Sequence, residues 1–542
     1  MAPLLRPPFT WQNPLVWQVL AVALLLPALF SHLGYLPLDT DSDEPRRALV
    51  ALEMILSGDY LTPTLNGIPY FNKPPLYNWI IAGSYRLFGN YSAFALRFPM
   101  AVSLLGYALT IYWFVRRYVD AGRFSQAIAF ATAFMLLTNV RVWLYDSMLG
   151  LIDITFSWVT YTAFMLVYHF DRQKKYGSLY LTTYALTAVG FLMKGLPSVV
   201  FQGLTLLAWF AYTRNWRALL HPTHLAGLAV FGGLVGSYYL AYFARNDIPI
   251  GTVFGTMFSE SAKRTVIQFG IGETVLHLLT FPFEMQYRYA PWLLLGLLFI
   301  RKRIHAYLTG NPFVGFNALI FSVNFVVYWS SPQVYARYLL MLLPLLFAAL
   351  SYVYYVHADP AAWQRRTIDS FFVGVAVVIS TGVWVALFLP ETRVIPGIVF
   401  KVMLTSALLA FMAWNLIRQP THRLTIFLVF MVALRLGFNW IVLPPRVGHR
   451  LKYQISAETV ARQTMGKPLF GYKRTMGYEK ATDANTFHLE AMRGEILRLT
   501  TEKISGAYYI ADSVNLVGER YKPVGRILLF DEQPASVVQF VK

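Results

Sequence analysis

With 542 residues, 56% of them hydrophobic and only 13% charged, the chain carries too much apolar surface for a soluble protein and reads as a multispanning membrane protein. A formal charge of +19 would suggest nucleic acid as a partner in a soluble protein; here the basic residues collect in short turns between apolar runs, which reports topology and contact with anionic lipid instead. The absence of cysteine excludes disulfides, iron–sulfur clusters and thiolate zinc sites.

The first apolar run, Val16 to Leu36, is too long for a signal-peptide core and lacks a small-residue cleavage site, so it is expected to be a retained span. Runs able to cross about 30 Å of hydrocarbon, which takes about 20 helical residues, recur as far as Leu443. Thirteen are predicted, at 15–37, 91–115, 124–140, 148–170, 176–193, 196–213, 223–244, 272–300, 313–330, 335–356, 370–389, 395–417 and 422–443. Alternate loops carry Arg116, Arg117 and Arg123; Arg172, Lys174 and Lys175; Arg214 and Arg217; Arg301, Lys302 and Arg303; Arg365 and Arg366; and Arg418 and Arg423, and are assigned to the cytoplasm. The long first loop (38–90), the stretch around Asp146, the loop near 245–271, the turn at Ser330 to Tyr335 and everything after Pro444 then lie on the outer side.

Within the first loop, Leu49, Leu52, Ile55 and Leu56 give Glu44 to Leu56 the spacing of a helix lying in the membrane interface. Pro74 and Pro75 open a second such segment, Leu76 to Phe88, and a third is expected from Ile250 to Lys263. After Pro444-Pro445 the composition becomes ordinary. Helix-like stretches (Ser456 to Met465, Asn485 to Met492) alternate with strand-like ones (Pro468 to Tyr472, Ala507 to Ala511, Val524 to Phe530, Val537 to Val541). Residues 446–542 are therefore expected to form a small α/β domain after a membrane domain at 1–445. No internal repeat and no Gly-rich phosphate loop is found.

Ionisable groups are costly in such a chain and mark function by default. Asp39, Asp41, Asp43 and Glu44, followed by Arg46, Arg47 and Lys73, gather on the outer side in a pattern suited to chemistry on a lipid-borne phosphate. The Asp39-x-Asp41-x-Asp43 spacing could hold a divalent cation through hard oxygen ligands. The plainer alternative is a solvated acidic loop, and no metal is required. Glu284 and Arg288, four apart on one helix, are read as neutralising each other. Arg435 and Asn439 are read as needing partners inside the bundle, and His277 has no second ligand at metal spacing.

Three signatures resemble those of a known family. Asp43-Glu44-Pro45-Arg46, Leu56-Ser57-Gly58-Asp59-Tyr60-Leu61-Thr62-Pro63 and Asn66-Gly67-Ile68-Pro69-Tyr70-Phe71-Asn72-Lys73-Pro74-Pro75-Leu76 are similar to the first loop of the 4-amino-4-deoxy-L-arabinose transferase (ArnT) group, relatives of the protein O-mannosyltransferases. Phe191-Leu192-Met193-Lys194-Gly195-Leu196-Pro197 resembles a second signature, and Arg337-Tyr338-Leu339-Leu340 before Pro344 a third. Arg47 stands where the family commonly has Tyr, and Asn72 where it has Glu, so the fold follows from the resemblance and the identity of the sugar does not.

The resemblance implies a GT-C fold in a bacterial inner membrane, with its site and C-terminal domain facing the periplasm. It implies transfer of an aminoarabinose-like pentose or a hexose from a polyprenyl (undecaprenyl) phosphate, with inversion, to lipid A or another envelope glycolipid. A protein acceptor is the near alternative, and a lipid-linked saccharide transporter the distant one. Asp43 would be the catalytic carboxylate, and Asp146 or Asp153 a second, Asp146 having the better spacing from Arg141. Arg46, Arg47, Lys73 and Arg337 would bind the donor phosphate, fixed cations being suited to the charge that develops on it. Glu44, Tyr70, Lys194 and Tyr338 would line the substrate pocket, although a lysine ending a span can also snorkel to the interface.

Overall fold

The computed structural model describes residues 11–262, 266–477, 481–529 and 532–541; Lys263, Phe530 and Lys542, the ends of three predicted segments, lie outside them. Each of the thirteen apolar runs contains helix. Among the described residues, six helices are long and apolar enough to cross a membrane alone. A seventh span results if Gly122–Thr138 and Val140–Met148, which meet at 45°, are one. Of the rest, Pro14–Phe30, Pro197–Tyr212 and Leu343–His357 are shorter apolar helices, while Ile152–Arg172 and Tyr176–Lys194, of 21 and 19 residues, are long enough but less apolar. The run predicted at 272–300 divides into helix Val266–Arg288 and a 3₁₀ segment, Trp292–Phe299, because Pro291 cannot continue the hydrogen-bond ladder. The chain is a multi-pass membrane protein of the expected class, with a small C-terminal sheet domain.

The elements that position the site are, in order, α1 (Pro14–Phe30), α2 (Glu44–Ser57), the hairpin strands β1 (Thr64–Leu65) and β2 (Ile68–Pro69), α3 (Leu76–Phe88) and α4 (Ala93–Tyr118). There follow α5 (Ser125–Thr138), α6 (Val140–Leu144), α7 (Ile152–Arg172), α8 (Tyr176–Lys194) and α9 (Pro197–Tyr212). Local chemistry accounts for the boundaries. Asn13 and Ser92 cap α1 and α4 by accepting from Leu15 N and Ala95 N. At the α5–α6 bend, Asn139 accepts from Val142 N and donates to Leu136 O, so the break leaves few groups unpaired. Asn66 and Gly67 both have positive φ, 56° and 72°, which suits the two-residue turn of the β1–β2 hairpin.

The structure changes the expected setting of α2. Arg47 through Met54 are all buried, so this helix does not present a polar face to water. Its apolar stripe packs into the bundle, and its polar stripe is covered by the C-terminal domain. That domain starts with α10 (Val447–Gln463), followed by β3 (Leu469–Tyr472), α11 (Asp483–Arg493), β4 (Arg498–Thr500), β5 (Tyr508–Ala511), β6 (Tyr521–Leu528) and β7 (Pro534–Phe540). The sheet order is β4-β3-β5-β7-β6, with β3 parallel to β4 and β5, and β7 antiparallel to β5 and β6. Ala457, Val460, Leu489, Ile510 and Val537 form the core between helices and sheet. Phe487 instead joins the core of the bundle, so α11 is shared by the two domains.

Candidate active site

Asp43 stands at the N-terminus of α2 without a capping hydrogen bond from its side chain, at a position where a carboxylate is favoured by the helix dipole. Its side chain is half exposed and receives two arginines: Arg46 Nη1 at 3.1 Å and Arg337 Nη2 at 3.5 Å. Arg337 lies in a 3₁₀ turn, Ala336–Leu339, anchored by Tyr289, whose hydroxyl donates to Ala336 O. From there Arg337 Nε reaches Asp153 Oδ2 at 3.3 Å. Asp153, in the first turn of α7, also holds Lys194 Nζ at 2.5 Å. Lys194 is the last residue of α8, and Gly195 (φ 84°) permits the reversal into α9. Asp43, Arg337, Asp153 and Lys194 thus form one chain of alternating charge.

The chain ends at a cavity of about 310 Å³ lined by Lys73, Lys194, Phe201, Glu260, Tyr328 and Tyr338, among others. Lys194 Nζ lies 4.1 Å from the Tyr338 ring centroid. Lys73 also borders a smaller cavity next to Tyr70 and Tyr242. Two lysines on apolar and aromatic walls make a setting in which a phosphate would be held by charge and a hydrocarbon chain by contact.

Several expected residues sit elsewhere. Glu44 does not line the cavity; it is completely buried, with Arg97 Nε at 2.7 Å from its Oε1 and Nη2 at 2.8 Å from its Oε2. It also accepts from Gly150 N and Asp39 N. Burial pushes its carboxyl up, but Arg97 and the two amides more than offset this and hold it below the ordinary value of 4.5. Arg47 is buried and donates from Nη2 to the Tyr70 hydroxyl at 2.5 Å. Both side chains therefore support α2 from below. Asp146 accepts from Arg141 Nε through both oxygens, at 3.1 Å each. Asp153, and not Asp146, shares an arginine with Asp43.

The three loop aspartates do not converge. Asp39 is buried and pairs with Arg450 Nη2 at 2.6 Å, whereas Asp43 turns toward Arg46 and Arg337. Among the described residues no group of three His, Cys, Asp or Glu side chains is placed to hold a metal ion. Glu284 and Arg288 pair at 3.2 Å as expected from their spacing. Arg435 donates to Trp143 O and Asn439 to Ala28 O, partners inside the bundle.

Three residues not singled out from the sequence matter here: Arg97, Arg450 and Asp483. Arg97 had a signal, an arginine within an apolar run. Asp483, which accepts from Arg46 Nε at 3.0 Å, had none, being 437 residues away in the chain.

The architecture and the sequence both have counterparts among known proteins. The structure matches that of ArnT from Cupriavidus metallidurans bound to undecaprenyl phosphate with a TM-score of 0.66, covering 96% of this chain and 98% of the other at 21% identity. The chain has the ArnT fold. A profile of the dolichyl-phosphate-mannose-protein mannosyltransferase family matches residues 72–238. That stretch contains Lys73, Asp146, Asp153 and Lys194, and leaves out Asp43, Arg46 and Arg337. An undecaprenyl phosphate-alpha-4-amino-4-deoxy-L-arabinose arabinosyl transferase of Shewanella sediminis is 33% identical over 193 residues, 33% of this chain and 34% of the relative. One of the same name from Pseudomonas aeruginosa is 30% identical over 219 residues, 39% of this chain and 38% of the relative. The alignments thus span about a third of these ArnT-type relatives, whereas the fold likeness runs through nearly the whole chain.

Proposed function

We propose that the chain is a membrane glycosyltransferase that moves a sugar from a polyprenyl phosphate, of the undecaprenyl class, to lipid A or another envelope glycolipid. The observation that carries this reading is the line of alternating charge from half-exposed Asp43 through Arg337 and Asp153 to Lys194 at the basic, aromatic cavity. The names of the aligned relatives support both the donor class and a sugar such as 4-amino-4-deoxy-L-arabinose. The positions of the basic loops support an inner-membrane protein whose site and C-terminal domain face the periplasm.

In this reading the donor phosphate sits at Lys73 and Lys194 with its isoprenoid tail along the apolar wall. The acceptor oxygen attacks the anomeric carbon from the face opposite the phosphate as the carbon–oxygen bond to phosphate breaks, so configuration inverts. The electron pair of that bond leaves with the polyprenyl phosphate, and Lys73, Lys194 and Arg337 stabilise its added negative charge where water is scarce. A hydroxyl acceptor passes its proton to Asp43, a role worth about 100-fold to 10,000-fold in rate. An acceptor phosphate, already ionised, needs no base, and Asp43 then orients it.

The test is transfer of radiolabelled sugar from undecaprenyl-phosphate donors to purified lipid A and to total envelope extract, comparing the wild type with Asp43→Asn and Lys73→Ala. Label entering a lipid fraction and lost in both variants is the expected result. Label entering protein would move the acceptor to the alternative class. Transfer that survives both substitutions would overturn the site.

A further inference from the structure

The C-terminal domain has no part in the reading above, yet one of its side chains reaches the candidate catalytic carboxylate through a single intermediate. Arg46 Nη1 donates to Asp43 at 3.1 Å, and Arg46 Nε donates to Asp483 at 3.0 Å. Asp483 is the first residue of α11, and its side chain is 7% exposed against 50% for Asp43. The charge line therefore does not begin at Asp43. It runs Asp483, Arg46, Asp43, Arg337, Asp153, Lys194, alternating in sign and crossing from one domain to the other.

The contact belongs to a built interface. Asp483, Phe487 and Glu490 fall at i, i+4 and i+7, one stripe of α11, and Arg46 and Glu53 lie seven apart on one stripe of α2. Phe487 enters the core of the bundle and lies 6.4 Å from the Tyr85 ring. Two further contacts hold the domains together away from Asp483: Arg450 with Asp39 at 2.6 Å, and Asn66 Nδ2 donating to Leu497 O at 3.1 Å from the hairpin tip. Docking thus has contacts besides the Asp483 carboxylate, whose hydrogen bond goes to Arg46 Nε. An arginine side chain has many rotamers, and a guanidinium fixed at one edge presents its other edge in one direction. Asp483 supplies that fixed edge.

We propose that Asp483 is a positioning residue of the transfer site: by holding Nε of Arg46 it aims Nη1 at Asp43, so that the C-terminal domain is part of the active site. The inference rests on the reading of Asp43 as the catalytic carboxylate. Asp483→Asn removes the charge that draws this edge of Arg46, so Nη1 is aimed at Asp43 less strictly. Donor binding at the cavity, three ion pairs from Asp43, is left largely intact.

The test is a cycle in the full-length protein in nanodiscs, using the transfer assay and thermal unfolding on Asp483→Asn, Asp483→Glu, Arg46→Ala, the Arg46→Ala/Asp483→Asn double variant, Asp43→Asn and Asn66→Ala. Asp483→Asn is expected to lower kcat about 10-fold to 100-fold, the scale of a misplaced catalytic group, with the donor KM and the Tm close to wild type. Asp483→Glu should recover part of kcat, and in the Arg46→Ala background Asp483→Asn should change kcat by less than about twofold. Asn66→Ala, which loosens the seam elsewhere, should lower Tm and leave kcat in place. The inference is overturned if Asp483→Asn leaves kcat unchanged while Asp43→Asn abolishes transfer. It is also overturned if Asp483→Asn lowers kcat equally in both backgrounds, or only in step with Tm. Full activity in Asp43→Asn would instead remove the reading on which the inference stands.

Discussion

Replacing Glu44 by Gln tests whether the line of charge depends on the buried support beneath it. The expected loss of stability is about 3–5 kcal/mol, the usual consequence of removing one partner from a buried ion pair. The structure explains why the upper part of that range applies. Arg97 is 1% exposed and, besides its two bonds to Glu44, donates to Leu33 O at 3.1 Å, Leu36 O at 2.8 Å and Pro37 O at 3.2 Å, so it cannot turn to water. Glu44 also accepts from Gly150 N at 2.7 Å and Asp39 N at 2.9 Å. A glutamine leaves the guanidinium uncompensated and points an amide NH₂ at donors whichever way it is flipped. Because the Glu44 carboxyl is held below 4.5 in the folded protein, its contribution is present above that pH and is lost as pH falls through the folded value. Thermal unfolding in detergent, followed by tryptophan fluorescence and size exclusion, should therefore show a gap between wild type and Glu44→Gln. The gap should be constant from about pH 6 to pH 8 and shrink on acidification below about pH 4.5. A Tm within about 1 °C of wild type, or a gap unchanged at low pH, would refute the reasoning.

Lys194→Met should lower transfer by about 100-fold, the scale for removing one group that stabilises developing charge. Combined with Asp153→Asn, its effect should be smaller than the two losses multiplied, because the residues share one ion pair; independent effects in the assay would count against the charge line. Glu490 lies buried near Glu53, and burial with that neighbouring charge pushes its carboxyl well above its ordinary value. Its contribution to stability is full below the ordinary carboxylate range and declines as pH rises, so Glu490→Gln should raise Tm at pH 8 and hardly at pH 5. Equal shifts at both would exclude titration as the cause. Gly150→Ala would place a Cβ 2.7 Å from Leu96 Cγ, and the strain should destabilise the protein by about 1–3 kcal/mol in thermal unfolding and pull Gly150 N away from Glu44. A neutral result would show that Leu96 can yield.

Much of the architecture was legible because burial in a membrane leaves a long, repetitive mark. All thirteen apolar runs contain helix, and the strands Leu469–Tyr472 and Tyr508–Ala511 lie where alternation placed them. The three-residue strand β4 carries no such pattern. The pairing of Asp43 with Arg46 was legible from their nearness in sequence, three residues apart at the start of α2. The division of labour among their neighbours was not: Glu44 and Arg47 flank Asp43 in the chain, but helical geometry turns both inward, Glu44 to Arg97 and Arg47 to Tyr70. The choice between Asp146 and Asp153 was likewise open, since spacing from Arg141 favoured Asp146, and only the folded bundle brings Arg337 to Asp153. The setting of α2 was misread for a related reason. Its amphipathic pattern shows that one stripe needs apolar cover, and says nothing of whether water or a protein domain meets the other.

The site proposed to receive a phosphate faces a difficulty before the phosphate arrives. Cations gathered where water is scarce repel one another and lose hydration, which would favour their scattering or the unfolding of the turns that carry them. The structure answers this by interleaving carboxylates: Asp153 lies between Lys194 and Arg337, and Asp43 between Arg337 and Arg46. Ending the line on Asp483 makes its acids equal in number to its bases, three to three. In the proposed reaction the donor, a phosphodiester monoanion whose leaving group becomes a dianion as the sugar departs, competes with Asp153 for Lys194, and loosening of that pairing would be felt at Arg337 and then at Asp43. Coupling of this kind would reach Asp43 through Asp153 and Arg337, whereas Arg46 and Asp483 stand on the far side of Asp43 and set its geometry without lying on that path.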